Sequence, residues 1–291
     1  MAEQEKWDIE IKPKDKLLSV DFKELWNYRD LCSLFVKRNI ITQYKQTILG
    51  PVWFVVQPAL TVLMYMIVFG GIAGIPTDGV PRPLFYLAGT CMWNYFSECL
   101  TKTSNTFVNN SGIFGKVYFP RLVMPISDII SNLLRFAIQL GFFVIVYVVY
   151  ALVDQDCTAH LTWYALLFPL LVLMMAGLAL GFGTIISSMT TKYRDLQVLF
   201  SFIVQLWMYA TPIVYPLSQT GSMQYFGIPV HKLMCLNPVT PIIETFKYGF
   251  LGAGSFVGWR WLIYSFVFMV VLLGAGIVVF NKVQKSFMDT V

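Results

Sequence analysis

Six apolar blocks, each close to the length of a membrane span, leave this chain few folds to choose from. A hydrocarbon core of about 30 Å is crossed by roughly 20 helical residues. The blocks run over Pro51–Ile72, Leu84–Leu100, Ile126–Val153, Trp163–Ser188, Leu196–Pro216 and Trp259–Phe280. The second is the weakest, because Asn94, Glu98 and Lys102 interrupt it. Of 291 residues, 57% are apolar and 13% charged, so little chain remains for a soluble domain of ordinary size. The expected fold is an all-α integral membrane protein with six transmembrane helices, residues 51–291 forming one membrane domain.

Basic residues fix the orientation, because Lys and Arg accumulate in cytoplasmic segments. With the N-terminus inside, the inner segments hold nine basic residues from Lys6 to Lys45. They also hold Lys102, Lys116, Arg121, Lys192, Arg194, Lys282 and Lys285, against Arg82, Lys232, Lys247 and Arg260 outside. Both termini are therefore expected in the cytoplasm. The net charge of +5 reflects this topology and does not point to nucleic acid. Residues 1–23 are charged and lack an apolar stretch, which reads as a cytoplasmic tail without a cleavable signal. The five cysteines show no CxxC spacing and read as small buried hydrophobes, the alternative being a Cys157–Cys235 disulfide on the outer face.

Residues 24–50 precede the first span. Glu24–Leu49 has no Pro or Gly and mixes aromatic with basic residues, as suits an amphipathic helix lying in the inner interface or against a partner protein. Lys37, Arg38 and Lys45 intrude on its apolar side, where long stems can snorkel. The inner loops Phe107–Arg121 and Thr190–Asp195 are short and polar, suited to being gripped by another protein. Leu217–Gly258 is rich in Gly and Pro yet apolar, and neither half is long enough to span. Two short re-entrant or outer helices broken near Asn237-Pro238, between the fifth and sixth spans, are expected there.

Enzyme signatures are missing. Two histidines, His160 and His231, lie far apart, and no HExxH, GxSxG or metal-spaced Cys/His cluster occurs. Gly112-Ile113-Phe114-Gly115-Lys116 has two residues between glycines where a phosphate loop needs four, and Val117 stands where Ser or Thr must hold magnesium. No catalytic residue, metal or cofactor is assigned to the chain. Asp154, Asp156 and His160 are the one outer group that a membrane transferase could use.

Polar groups inside spans are functional candidates by default. Asn94, Glu98, Thr101, Asn105 and Asn109 share one helix face, as do Asp128, Ser131, Asn132, Arg135 and Gln139. The stripes either line a hydrated path or satisfy each other through a Glu98–Arg135 or Asp128–Arg135 pair. Aromatic residues form 16% of the chain, and many suit interfacial belts. Trp53, Phe54, Trp93, Tyr95, Phe96, Phe200, Trp207 and Tyr209 stand apart from such belts. A passage lined by such rings would let a sugar chain slide along its C–H faces.

The run Gln43-Tyr44-Lys45-Gln46-Thr47-Ile48-Leu49-Gly50-Pro51-Val52-Trp53, followed by Gln57-Pro58, resembles the approach to the first span in ABC-2-type polysaccharide export permeases. Further matches follow in order: Leu87-Ala88-Gly89, Trp93-Asn94-Tyr95-Phe96, Phe119-Pro120-Arg121 with Pro125, Tyr193-Arg194-Asp195-Leu196, Pro212-Ile213-Val214-Tyr215-Pro216, and Asn237-Pro238 with Pro241. The similarity covers the chain from about Glu24 onward. One departure is Gln43, where the family commonly has Arg.

The resemblance implies a homodimer in the bacterial inner membrane, bound to two copies of a separate nucleotide-binding subunit that holds ATP and Mg. The substrate it implies is a glycan on polyprenyl diphosphate, of the O-antigen kind. It assigns docking on that ATPase to Asn109, Asn110, Gly112 and Lys116, with Tyr193, Arg194 and Asp195 as a second contact. Arg38 and Lys45 would attract the diphosphate at the inner interface. An ABC-2 exporter of a small drug or lipid is the alternative within this class.

Overall fold

The computed structural model describes residues 22–45, 48, 50–114, 116–153, 158–193, 195–225 and 227–286. The tail expected over residues 1–23 lies almost wholly outside them, as do Arg194, Cys157, Asp154 and Asp156.

Two helices, α1 (Phe22–Asn27) and α2 (Arg29–Tyr44), replace the single N-terminal helix expected from the sequence. Asn27 and Asp30 are weak helix formers, and Tyr28 between them leaves helical geometry at φ −92° and ψ 16°. After Lys45 turns to extended backbone, a 3₁₀ turn at Gly50–Val52 leads into α3 (Trp53–Tyr65). α3 continues as a π-helix over Met66–Ile72. Next come α4 (Arg82–Ser104), the short α5 (Thr106–Phe114) and α6 (Val123–Val153). A 3₁₀ turn at Trp163–Leu167 opens α7 (Phe168–Thr190), which is followed by α8 (Leu196–Tyr209). The segment before the last helix holds a two-residue antiparallel pairing, Gln224–Tyr225 with Ile228–Pro229, then α9 (Val230–Leu236) and α10 (Thr240–Leu251). Finally α11 covers Trp259–Ser286.

The described residues are thus mostly helical, and each of the six apolar blocks contains a helix. Among the described residues, four helical stretches are long and apolar enough to cross a membrane: Gly50–Ile72, Val123–Val153, Trp163–Thr190 and Trp259–Val283. α4 has the length but carries too many polar groups, because it is the central helix. Leu84 through Trp93 are buried without interruption, and α4 packs against α3, α6, α7 and α10. α8 departs most from expectation. The sequence predicts helix to Pro216, yet α8 stops at Tyr209. Thr211 precedes Pro212, and the proline ring disfavours helical backbone at the residue before it.

Close approach sets the helix–helix contacts. A Cβ on Gly276 of α11 would lie 2.4 Å from Thr184 Oγ1 and 2.8 Å from the Gly181 carbonyl oxygen of α7. Small residues that let backbones meet are the usual adhesive between membrane helices. Gly89 plays the same part for α4, where an added Cβ would lie 3.0 Å from the Ile213 carbonyl oxygen. A second apolar cluster joins Phe35, Phe107, Phe114, Phe119, Val123, Met124 and Phe280. It binds α2, α5, the start of α6 and the end of α11 into one body.

Candidate functional site

At this α5 end, the two short loops lie against a common base. Asn105 leaves helical geometry and lets the chain turn from α4 into α5. α5 itself kinks at Asn110, with φ −116° and ψ 15°. Ser187 Oγ accepts from the Phe107 amide at 3.4 Å, and Thr190 Oγ1 donates to the Ser104 carbonyl at 3.1 Å. Phe107 stacks on Phe280 with ring centroids 4.6 Å apart, and Phe35 meets Phe119 at 5.7 Å. On this base Asn109, Gly112 and Lys116 are exposed and Asn110 is half-buried. Tyr193 and Asp195 are exposed beyond the end of α7. The arrangement offers a polar rim on an apolar, well-braced base.

Of the two cations expected at a lipid head group, Lys45 is exposed and Arg38 half-buried. Arg38 lies over the Phe35 ring at 4.9 Å and donates to Asn39 Oδ1 at 3.2 Å. Asn39 Nδ2 in turn donates to Asp128 Oδ1 at 2.8 Å, tying α2 to α6.

The polar stripes of α4 and α6 face each other. Arg135 and Glu98 pair at 2.7 Å, so the Glu98 alternative is the one formed, and Asp128 is held by Asn39 instead. Arg135 also donates to Gln57 Oε1 at 3.3 Å and lies 4.8 Å from the Phe54 ring centroid. One turn away, Lys102 Nζ donates to Asn132 Oδ1 at 2.8 Å. Asn94, Glu98, Asn132, Arg135 and Gln139 surround a small hollow between the helices. Between the helices the Glu98–Arg135 pair is joined by the Lys102–Asn132 bond, while Asn105 and Ser131 bond carbonyls of their own helices.

The aromatic residues expected along a passage divide into two groups. Trp93, Tyr95 and Phe96 are buried at 4%, 3% and 0% exposure. Trp207 meets Phe96 at 5.3 Å and Phe182 at 5.2 Å, both edge to face, and Tyr95 meets Phe136 at 4.9 Å. These rings fill the interior of the chain and do not line an open surface, because α4 is enclosed by its neighbours. Trp53 and Tyr209 are exposed, while Phe54, Phe200 and Trp207 are half-buried. The reachable rings thus belong to α3 and α8.

The α10 end contains the group that the sequence reading missed. Lys247, counted there as an outer cation, is 1% exposed. Its ammonium pairs with Glu244 at 3.1 Å, hydrogen-bonds the Pro212 carbonyl, and lies 4.0 Å from the Phe85 ring centroid. Burial lowers the Lys247 pKa and raises that of Glu244, and the attraction between the two opposes both shifts. Asn237 is a second junction. Its Oδ1 accepts from Trp207 Nε1 at 3.1 Å, and its Nδ2 donates to Thr211 Oγ1 at 2.9 Å. The i, i+3 spacing of Glu244 and Lys247 was the signal available in the sequence. His160 belongs to the same end and serves there as a tie, its amide donating to the Leu251 carbonyl at 3.3 Å. Cys32, Cys91, Cys99 and Cys235 are free thiols.

The family model described as ABC-2 type transporter matches residues 30–251, from α2 through α10. The chain belongs to the ABC-2 type transporter family. Its relatives include an O-antigen export system permease protein of Myxococcus xanthus, 27% identical over 226 residues, which are 77% of this chain and 82% of the relative. A protein of the same description from Klebsiella pneumoniae is 23% identical over 260 residues, 89% of this chain and 94% of the relative. The polysialic acid transport protein KpsM of Escherichia coli is 21% identical over 264 residues, 87% of this chain and 93% of the relative. Two motif stretches of this ABC-2 chain meet in space, since Gly89 admits the backbone of Ile213. A third stretch reaches the second of these where Asn237 holds Thr211, next to Pro212.

Proposed function

We propose that this chain is the membrane subunit of an ATP-driven exporter that moves a polyprenyl-diphosphate-linked polysaccharide, O-antigen-like, across the bacterial inner membrane. Membership of the ABC-2 type transporters, with relatives named for O-antigen and polysialic acid export, carries the reading. In it the six apolar blocks are six spans with both termini cytoplasmic. Residues 1–23 form the tail, residues 24–50 the interfacial segment and residues 51–291 the membrane domain. The α5 end faces the cytoplasm and the α10 end faces outward, in line with the sided distribution of Lys and Arg.

The working unit is a homodimer with two copies of a nucleotide-binding subunit, which supply ATP and Mg and perform the hydrolysis. The dimer is supported by α8, which has no buried residue in the single chain, and by the exposed apolar side chains of α3. Asn109, Asn110, Gly112, Lys116, Tyr193, Arg194 and Asp195 receive the thrust of the ATPase. The shared apolar cluster passes it to α2, α6 and α11. The diphosphate is drawn to Arg38 and Lys45, and the glycan passes the rings of α3 and α8. α9 and α10 close the outer exit. Inverted vesicles carrying the permease and its ATPase provide the test. ATP should drive a lipid-linked glycan into the lumen, and Gly112→Trp should abolish transport with the permease still folded. Uptake of small amphiphiles without any glycan flux would replace the polysaccharide reading with a drug or lipid exporter.

A further inference from the structure

α8 contains 14 residues, which rise about 21 Å against a hydrocarbon core of about 30 Å. A helix that starts at the inner surface therefore ends below the outer one. Thr211 through Val214 are buried yet irregular, so their backbone groups must find partners inside the protein. Side chains from just before α10 and from α10 itself reach the carbonyls at this break, one at Ala210 on its edge and one at Pro212 inside it. Asn237 Nδ2 lies 3.4 Å from the Ala210 carbonyl, and the Lys247 ammonium donates to that of Pro212. A buried ammonium is costly unless paired, and Glu244 pairs it at 3.1 Å. Phe85 closes the remaining side with its ring face. The fold thus carries a buried ion pair where an ordinary span would have needed none.

We propose that Lys247 is the positioning residue of the outer gate. Neutralised by Glu244, it fastens the broken end of the fifth span to α10 and to Phe85 of α4, so that the break and the outer helices open and close as one body. The proposal rests on the export reading for the existence of a path to close, but it concerns only how that path is closed. Release of the Pro212 carbonyl removes the closed arrangement's charge-assisted hydrogen bond, and the populations shift toward the open one.

The experiment uses the full chain with its ATPase, carrying Ile213→Cys as a reporter, since Ile213 is 1% exposed. The probe is a membrane-impermeant maleimide added from the outside without ATP. With Lys247→Met, labelling should rise about tenfold, the change that one lost charge-assisted hydrogen bond produces. Lys247→Arg retains a buried cation and should restore slow labelling. If Lys247→Met fails to assemble, Glu244→Gln in the same reporter background gives the readout, because it leaves the ammonium present but unneutralised. Assembled variants that label at the reporter's own rate would overturn the proposal. Glycan flux is measured separately, so a chain that gates correctly but carries no glycan refutes the export reading alone.

Discussion

Arg135 of α6 holds three groups from two other helices: Glu98 of α4 at 2.7 Å, and from α3 Gln57 at 3.3 Å and the Phe54 ring at 4.8 Å. A guanidinium suits this position because it donates along several directions while its flat face rests on an aromatic ring. Removing one charge of a half-buried pair leaves the other without compensation, whereas removing both need not. Arg135→Gln and Glu98→Gln should each destabilise the chain by about 1–3 kcal/mol. The double variant should lie closer to the wild type than either single one. Thermal unfolding of the detergent-purified proteins reads this directly, and additive losses would mean that the pair contributes nothing as a pair. The stripes were visible in the sequence through their three- and four-residue spacing, and so was the Glu98–Arg135 option. The fate of Asp128 was not, because its partner Asn39 sits 89 positions away on a helix whose placement no periodicity reveals.

Helices α7 and α11 meet through glycines, and the two glycines of α11 differ sharply in what surrounds them. Gly276 sits against Thr184 and the Gly181 backbone, while an added Cβ on Gly274 would meet nothing within 4 Å. Gly276→Leu should therefore force the helices apart and cost about 1–3 kcal/mol. Gly274→Leu, two residues away, should stay within about 0.5 kcal/mol of the wild type. Equal losses in a thermal melt would rule out the close α7–α11 approach as the cause, since Leu is a better helix former than Gly and propensity alone would favour both variants. At this scale the apolar blocks gave the helices well, since lipid demands length and hydrophobicity in one continuous run. Boundaries failed where local chemistry outweighed hydropathy, at Tyr28 and at Thr211-Pro212. α4 was underrated for a related reason: a helix packed by protein on most of its faces can carry half-buried Asn94, Glu98 and Lys102 that lipid would reject.

Across the whole molecule, α4 links the α5 end to the α10 end. Its last turn reaches the α5 loop and α7, and Phe85 in its first turn touches the Lys247 ammonium. The rings once grouped as a single passage are distributed by this arrangement. Those on α4, with Trp207 packed against Phe96, hold the link together, while Trp53 of α3 and Tyr209 of α8 are exposed on the single chain. Their roles can be separated because truncating a buried ring acts on stability and truncating an exposed one does not. Phe96→Ala should lose about 3–5 kcal/mol and with it the yield of folded permease. Trp53→Ala and Tyr209→Ala should fold within about 0.5 kcal/mol of the wild type, since surface substitutions seldom cost more. If the glycan slides along these two rings, their loss should lower ATP-driven flux in vesicles several-fold at unchanged permease content and unchanged basal ATPase rate. Flux that survives both exposed-ring substitutions would remove the α3–α8 face from the path. It would leave those rings as dimer contacts, which cross-linking of Trp53→Cys to a second copy would then detect.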